Sequence, residues 1–193
     1  MKTSIATVSV PGDLNDKLKS IADAGFTGIE LFEQEFIAYS ETPAEIGQMV
    51  RDHGLTIDLF QPMRDARGMP EPQPSHIFDR IERRFDVMAE LGADLLLLSS
   101  SSHPGNLGGT DRITQVFSEL GDRAVARGMR VGYEAVNWGR NVKTYVDAWD
   151  VVRRTDHQAI GLILDSFHIL TKDSDINAIS TMPADRIFHV QLS

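Results

Sequence analysis

Three polar side chains end three apolar runs. Glu134 follows Met129-Arg130-Val131-Gly132-Tyr133, Asp165 follows Ile160-Gly161-Leu162-Ile163-Leu164, and Gln191 follows Ile187-Phe188-His189-Val190. Each run has strand length, and each comes after a helix-like segment. In a parallel α/β barrel the strand C-termini converge on one face and build the active site there. Two carboxylates and an amide converging on one point give an all-oxygen site for a hard divalent cation.

The elements that must carry these residues are legible in the punctuation. A helix ends near a glycine, and a short apolar strand starts a few residues later. The cases are Ala24-Gly25-Phe26-Thr27-Gly28-Ile29-Glu30, His53-Gly54-Leu55-Thr56-Ile57-Asp58-Leu59, Leu91-Gly92-Ala93-Asp94-Leu95-Leu96-Leu97-Leu98, and Arg127-Gly128-Met129-Arg130-Val131. Glycine fits the left-handed position past a helix end. The near-continuous apolar runs suit parallel strands covered by helices. Leu14, Leu18, Ile21 and Ala22 share one helical stripe; Ile77, Ile81, Phe85, Met88 and Leu91 share another. Thr42-Pro43-Ala44-Glu45 reads as a helix start.

The pattern predicts strands near 4–9, 28–32, 56–60, 94–99, 130–134, 160–165 and 187–192. Helices are expected near 13–24, 43–53, 76–91, 111–127, 143–154 and 174–180. Seven strands alternating with helices predict a (β/α)₈ TIM barrel, one domain over residues 1–193, with a doubly wound open sheet as the alternative. No G-x-G-x-x-G follows the first strand, so a dinucleotide fold has no support. Gly105-Asn106-Leu107-Gly108-Gly109 lacks the Lys-Ser/Thr of a phosphate loop and is expected to be a βα loop. The sequence stops after the seventh strand, whereas barrels typically take roughly 250 residues. The expectation is therefore an incomplete barrel without its eighth strand. It would close with another copy as a homo-oligomer, or continue in a longer fusion polypeptide.

Composition narrows the class further. The net charge is −9 over 193 residues, so a general nucleic-acid partner, which needs a basic stripe, is not expected. No cysteine is present, which excludes disulfides, thiolate metal sites and cysteine nucleophiles. No stretch approaches the roughly 20 apolar residues of a membrane span, so no membrane partner is expected. No apolar leader follows Met1, and a cytoplasmic location is the default expectation.

Several stretches carry a specific resemblance. They are Ser4-Ile5-Ala6-Thr7-Val8-Ser9, Ala24-Gly25-Phe26 with Gly28-Ile29-Glu30, Phe60-Gln61-Pro62-Met63-Arg64-Asp65, Gly132-Tyr133-Glu134-Ala135 with Trp138-Gly139-Arg140, Asp147-Ala148-Trp149, and Gly161-Leu162-Ile163-Leu164-Asp165-Ser166-Phe167-His168. The chain resembles the metal-dependent sugar phosphate isomerase/epimerase-like (xylose isomerase-like) barrels, and within them the bacterial 3-dehydroshikimate dehydratases. That resemblance implies a divalent metal (Mg²⁺, Mn²⁺ or Co²⁺) on Glu134, Asp165, Gln191 and a second Glu that has no counterpart here. It also implies a lyase forming protocatechuate from a small carboxylate substrate. For that chemistry His168 is expected to take or return a proton, Arg64 and Arg67 to grip the carboxylate, and Phe60 and Tyr133 to wall the ring. Glu30 is a further candidate, orienting a ligand or binding substrate hydroxyls.

Each role has a plainer rival. His168 could cap a helix, and Arg64 and Arg67 could be solvated loop residues. His189 could be a packed core histidine, and Glu33 and Glu35 are expected in a solvated loop. Two other functions remain open. One is a metal-dependent sugar or keto-acid isomerase or epimerase; the other is a truncated, non-catalytic barrel serving as an interaction module. An endonuclease-IV-like three-zinc site is disfavoured by the charge and by six histidines lying mostly off the strand ends.

Overall fold

A computed structural model describes residues 2–64, 74–103, 109–172 and 175–193, with side chains described from residue 77 onward in the second stretch. The chain divides into two compact units. The first holds Met1–Pro62 and Glu82–Leu96, and the second Met63–Ile81 and Leu97–Ser193.

In the first unit the chain runs β1 (Ser4–Ala6), α1 (Leu14–Asp23), β2 (Gly28–Phe32), α2 (Glu33–Ala38), α3 (Pro43–Asp52) and β3 (Thr56–Met63). Local chemistry sets the helix starts. Asp13 caps α1 by accepting from the Asp16 amide at 2.9 Å. Thr42 and Glu45 form a reciprocal capping box ahead of Pro43. Past the helix ends, Gly25 and Gly54 take φ of +86° and +72°, a region that costs other residues strain. β1 and β2 pair in parallel, with Ala6 opposite Glu30. The β2–β3 pairing shifts register between Ile29 and Glu30, which are opposite Ile57 and Leu59. Leu18, Ile21, Ile29, Leu31, Ile46, Leu59, Phe85 and Met88 fill the core of this unit.

Helix α4 (Pro74–Leu91) and strand β4 (Leu95–Ser99) contribute residues to both units. The second unit continues with α5 (Thr110–Ala126), β5 (Arg130–Glu134), α6 (Tyr145–Thr155), β6 (Ile160–Asp165), α7 (Ser166–Leu170), 3₁₀ turns at Ile176–Thr181 and Ala184–Arg186, and β7 (Ile187–Gln191). Thr144 and Asp147 form a second capping box at α6. Arg186 Nη2 donates to the carbonyls of His157 and Ile160, tying the turn after α6 to the start of β6. The core here is Phe117, Leu120, Val131, Ala148, Val151, Val152, Ile160 and Leu162.

The strands follow one another in the order β1-β2-β3-β4-β5-β6-β7 within one sheet. A doubly wound sheet reverses direction at a switch point. Uninterrupted sequential order with parallel pairing is the winding of a TIM barrel, and it removes the open-sheet alternative. All seven expected strands are present. The first is shorter than expected because Thr7–Ser9 turn into a 3₁₀ helix. The expected helix at 174–180 is a 3₁₀ turn, and α2 and α7 are additional. Among the described residues no helix is long and apolar enough to cross a membrane. The glycine-rich stretch at 105–109 lies outside the described residues except Gly109, which precedes α5.

Gly47 shows how closely α3 seats. A Cβ there would stand 2.3 Å from the Leu91 carbonyl oxygen and 2.8 Å from its carbon, both backbone atoms. Alanine gains up to ~1 kcal/mol in helix propensity, but overpacking costs about 1–3 kcal/mol, and backbone yields less than a side-chain tip. Gly47→Ala is expected to lower the urea midpoint. A midpoint equal to or above the native one would show that α3 does not seat this closely.

Candidate active site

Glu134 is the last residue of β5, and Asp165 the last of β6. Val131 and Tyr133 oppose Ile160 and Leu162, and Asp165 opposes Gln191 of β7. Side chains alternate along a strand, so Glu134, Asp165 and Gln191 leave the sheet on one face. Glu134 is 6 % exposed, Asp165 and Gln191 half-buried.

His168 joins this group from α7. The Asp165 carboxylate makes the connection: Oδ1 accepts from the Phe167 amide at 2.8 Å and so caps α7. The Ser193 hydroxyl also donates to Oδ1, at 2.7 Å. Oδ2 points to the other side and lies 4.0 Å from His168 Nε2, which is also 4.0 Å from Glu134 Oε1. Ligand atoms of Glu134, Asp165 and His168 all fall within 4.8 Å of one another. Four ångströms is too long for a direct hydrogen bond but suits a third group placed between the partners. Burial pushes the His168 imidazole below its ordinary pKa, and the Asp165 carboxylate opposes that shift.

The loop after β5 is held from two sides. The Ser100 amide donates to the Glu134 carbonyl at 2.8 Å, and the Ser100 hydroxyl accepts from the Val136 amide at 3.0 Å. Ser100 thus grips the backbone on both sides of Ala135 and steadies Glu134. Farther along, the Asn137 amide donates to His168 Nδ1 at 3.4 Å, and Asn137 Nδ2 donates to Thr171 Oγ1 at 2.7 Å. Trp138 is 58 % exposed and stands edge-on to His168, with ring centroids 4.9 Å apart.

The other expected residues fall elsewhere. Glu30 is buried in the first unit and accepts from Gln61 Nε2 at 2.6 Å. Tyr133 precedes Glu134 and therefore points to the opposite face, 4 % exposed and edge-on to Phe117 of α5. Phe60 is 1 % exposed and edge-on to Phe36. Both aromatics are core residues, a correction to the ring-walling role expected of them. Arg64 lies just past β3 with an exposed side chain, and its carbonyl accepts from Arg80. Arg67 lies outside the described residues. His189 opposes Ile163, and so shares the Glu134 face. Glu33 and Glu35 are not in a solvated loop: they open α2, where Glu33 pairs with Arg84 at 2.8 Å and Glu35 with Lys17 and Thr7. Sequence reading missed Ser100, Asn137 and Thr171. The run Ser99-Ser100-Ser101, polar yet placed where a strand ends, was the available signal for Ser100.

Over all 193 residues the chain is 46 % identical to the 3-dehydroshikimate dehydratase of Pseudomonas putida and 45 % identical to that of Pseudomonas aeruginosa. It spans 30 % of the length of each. A solved xylose isomerase-like TIM barrel/4-hydroxyphenylpyruvate dioxygenase fusion protein superposes with a TM-score of 0.97 at 46 % identity, covering 100 % of this chain and 31 % of the other. The family model of the xylose isomerase-like TIM barrels matches residues 18–193, and the chain belongs to that family.

Proposed function

We propose that the protein is a divalent-metal-dependent lyase that dehydrates 3-dehydroshikimate to protocatechuate. The observation that carries this reading is the 45–46 % identity, without interruption of coverage, to two dehydratases of that name. The reaction removes a proton α to a ketone and expels a β-hydroxyl as water, after which the ring tautomerises to a catechol acid.

The donors suit a hard cation. Glu134 and Asp165 each direct a carboxylate oxygen into the same small space, and Gln191 adds an amide from the neighbouring strand position. Mg²⁺, Mn²⁺ and Co²⁺ all accept such oxygen ligands. A cation held there supplies Lewis acidity at the ketone oxygen. The protein's own groups do the rest. Ser100 keeps Glu134 in place through the backbone, and the α7 cap keeps Asp165 and His168 in fixed relation. His168 Nε2 faces both carboxylates and is the group positioned to act on a substrate oxygen. Arg64, Arg67 and Glu30 retain their proposed contacts with substrate carboxylate and hydroxyls.

Three outcomes check this. The full natural polypeptide is expected to form a catechol acid from 3-dehydroshikimate, followed by ultraviolet absorbance, and a chelator should abolish the reaction reversibly. Persistence of full activity after exhaustive chelation would sink the metal. Asp165→Ala is expected to lose metal and turnover together and to loosen α7, costing ~0.5–2 kcal/mol as a lost cap. Calorimetric metal titration and a thermal melt read both effects. His168→Ala is expected to keep its metal and lose about 10²–10³-fold in kcat, the usual worth of one side-chain donor to an oxygen that gains charge. Loss of metal affinity in that variant would instead make His168 a ligand.

A further inference from the structure

His168 lies close enough to the two carboxylates to be counted with them as a metal ligand, yet its other ring nitrogen argues otherwise. An imidazole nitrogen that accepts a hydrogen bond carries no proton. Nδ1 accepts from the Asn137 amide, a donor that cannot reverse its role. In the neutral ring the proton then sits on Nε2, the nitrogen that faces Glu134 and Asp165. A protonated nitrogen cannot ligate a cation. To free Nε2 for a metal, the proton would have to move to Nδ1 and meet the Asn137 N–H head-on.

The amide is held where this matters. Asn137 sits three residues past Glu134, in the loop whose start Ser100 grips. Its own side chain reaches α7, where Nδ2 donates to Thr171 Oγ1 at 2.7 Å. Thr171 in turn donates to the Phe167 carbonyl at 2.7 Å, closing the last turn of the helix that carries His168. Loop and helix are thereby clamped at the residue whose own amide meets His168.

We infer that Asn137 and Thr171 are positioning residues: their clamp presents the Asn137 amide to His168 Nδ1, so that His168 meets the substrate as an Nε2–H donor and stays outside the metal's ligand set. This rests on the proposed dehydration and sharpens the part of His168 in it. A neutral histidine donating to an oxygen that gains charge stabilises an enolate without itself becoming a cation. At rest, Nε2 is not available to take a proton.

The test compares Thr171→Val, which removes the hydroxyl, with Thr171→Ser, which keeps it, and with Asn137→Ala, in the full polypeptide labelled with ¹⁵N-histidine. His168 signals are identified by their loss in His168→Gln. The native protein is expected to show an unprotonated Nδ1 and a protonated Nε2. Thr171→Val and Asn137→Ala should show mixed tautomers, with kcat lowered about 10-fold, the lower end for a partner that orients an active group. KM and metal affinity should be unchanged, and Thr171→Ser should restore both the spectrum and kcat. A native ring protonated at Nδ1, or metal affinity falling with the clamp, overturns the inference. The nitrogen spectra need no substrate, so failure of the dehydration reading and failure of this one are separate results.

Discussion

The hydrogen bond from the Phe167 amide to Asp165 Oδ1 organises the second unit's polar end. It starts a helix of only five residues directly from the end of a strand. Such a helix has too few internal hydrogen bonds to persist alone. The cap therefore decides whether His168 has a defined position at all. Because the capping group is the same carboxylate whose Oδ2 faces His168, any change at Asp165 alters carboxylate and imidazole together. The Glu134–Asp165–His168 cluster is thus one unit in mechanical terms, with β6 as its base.

A second support comes through backbone rather than side chains. Ser100 holds the Glu134 carbonyl and the Val136 amide, and Gly139 packs with no room for a Cβ, which would fall 2.1 Å from the Val142 carbonyl oxygen and 2.6 Å from the Ser100 hydroxyl. The turn after β5 is therefore compact, and its side chains at 137 and 138 are directed outward to α7. In the first unit the corresponding polar strand ends are satisfied internally: Thr7 donates its hydroxyl to Glu35, and Lys17 pairs with Glu35. Buried groups so paired avoid the penalty of unsatisfied desolvation.

Much of this was legible in the residues. Glycine punctuation and continuous apolar runs located the seven strands, and Thr42-Pro43-Ala44-Glu45 marked the start of α3. The strand-end positions of Glu134, Asp165 and Gln191 also followed from the runs before them. What escaped reading did so for physical reasons. Helix α7 carries no amphipathic period over five residues, and its only signal is the aspartate that precedes it. Glu33 and Glu35 looked solvated because their partners, Arg84 and Lys17, are distant in sequence. Tyr133 and Phe60 were misjudged although strand parity was available: a residue adjacent to an inward carboxylate or amide faces the other way. Asn137 acts through its backbone amide, which no residue type announces.

The two tryptophans of the chain occupy unlike settings. Trp149 is half-buried on α6, while Trp138 stands in solvent with its edge against His168. An excited indole is quenched by a neighbouring imidazolium and by open-shell cations. The centre consequently carries its own optical reporter. Light emitted from Trp138 depends on the charge of the imidazole beside it, so a change in that charge is visible without a label.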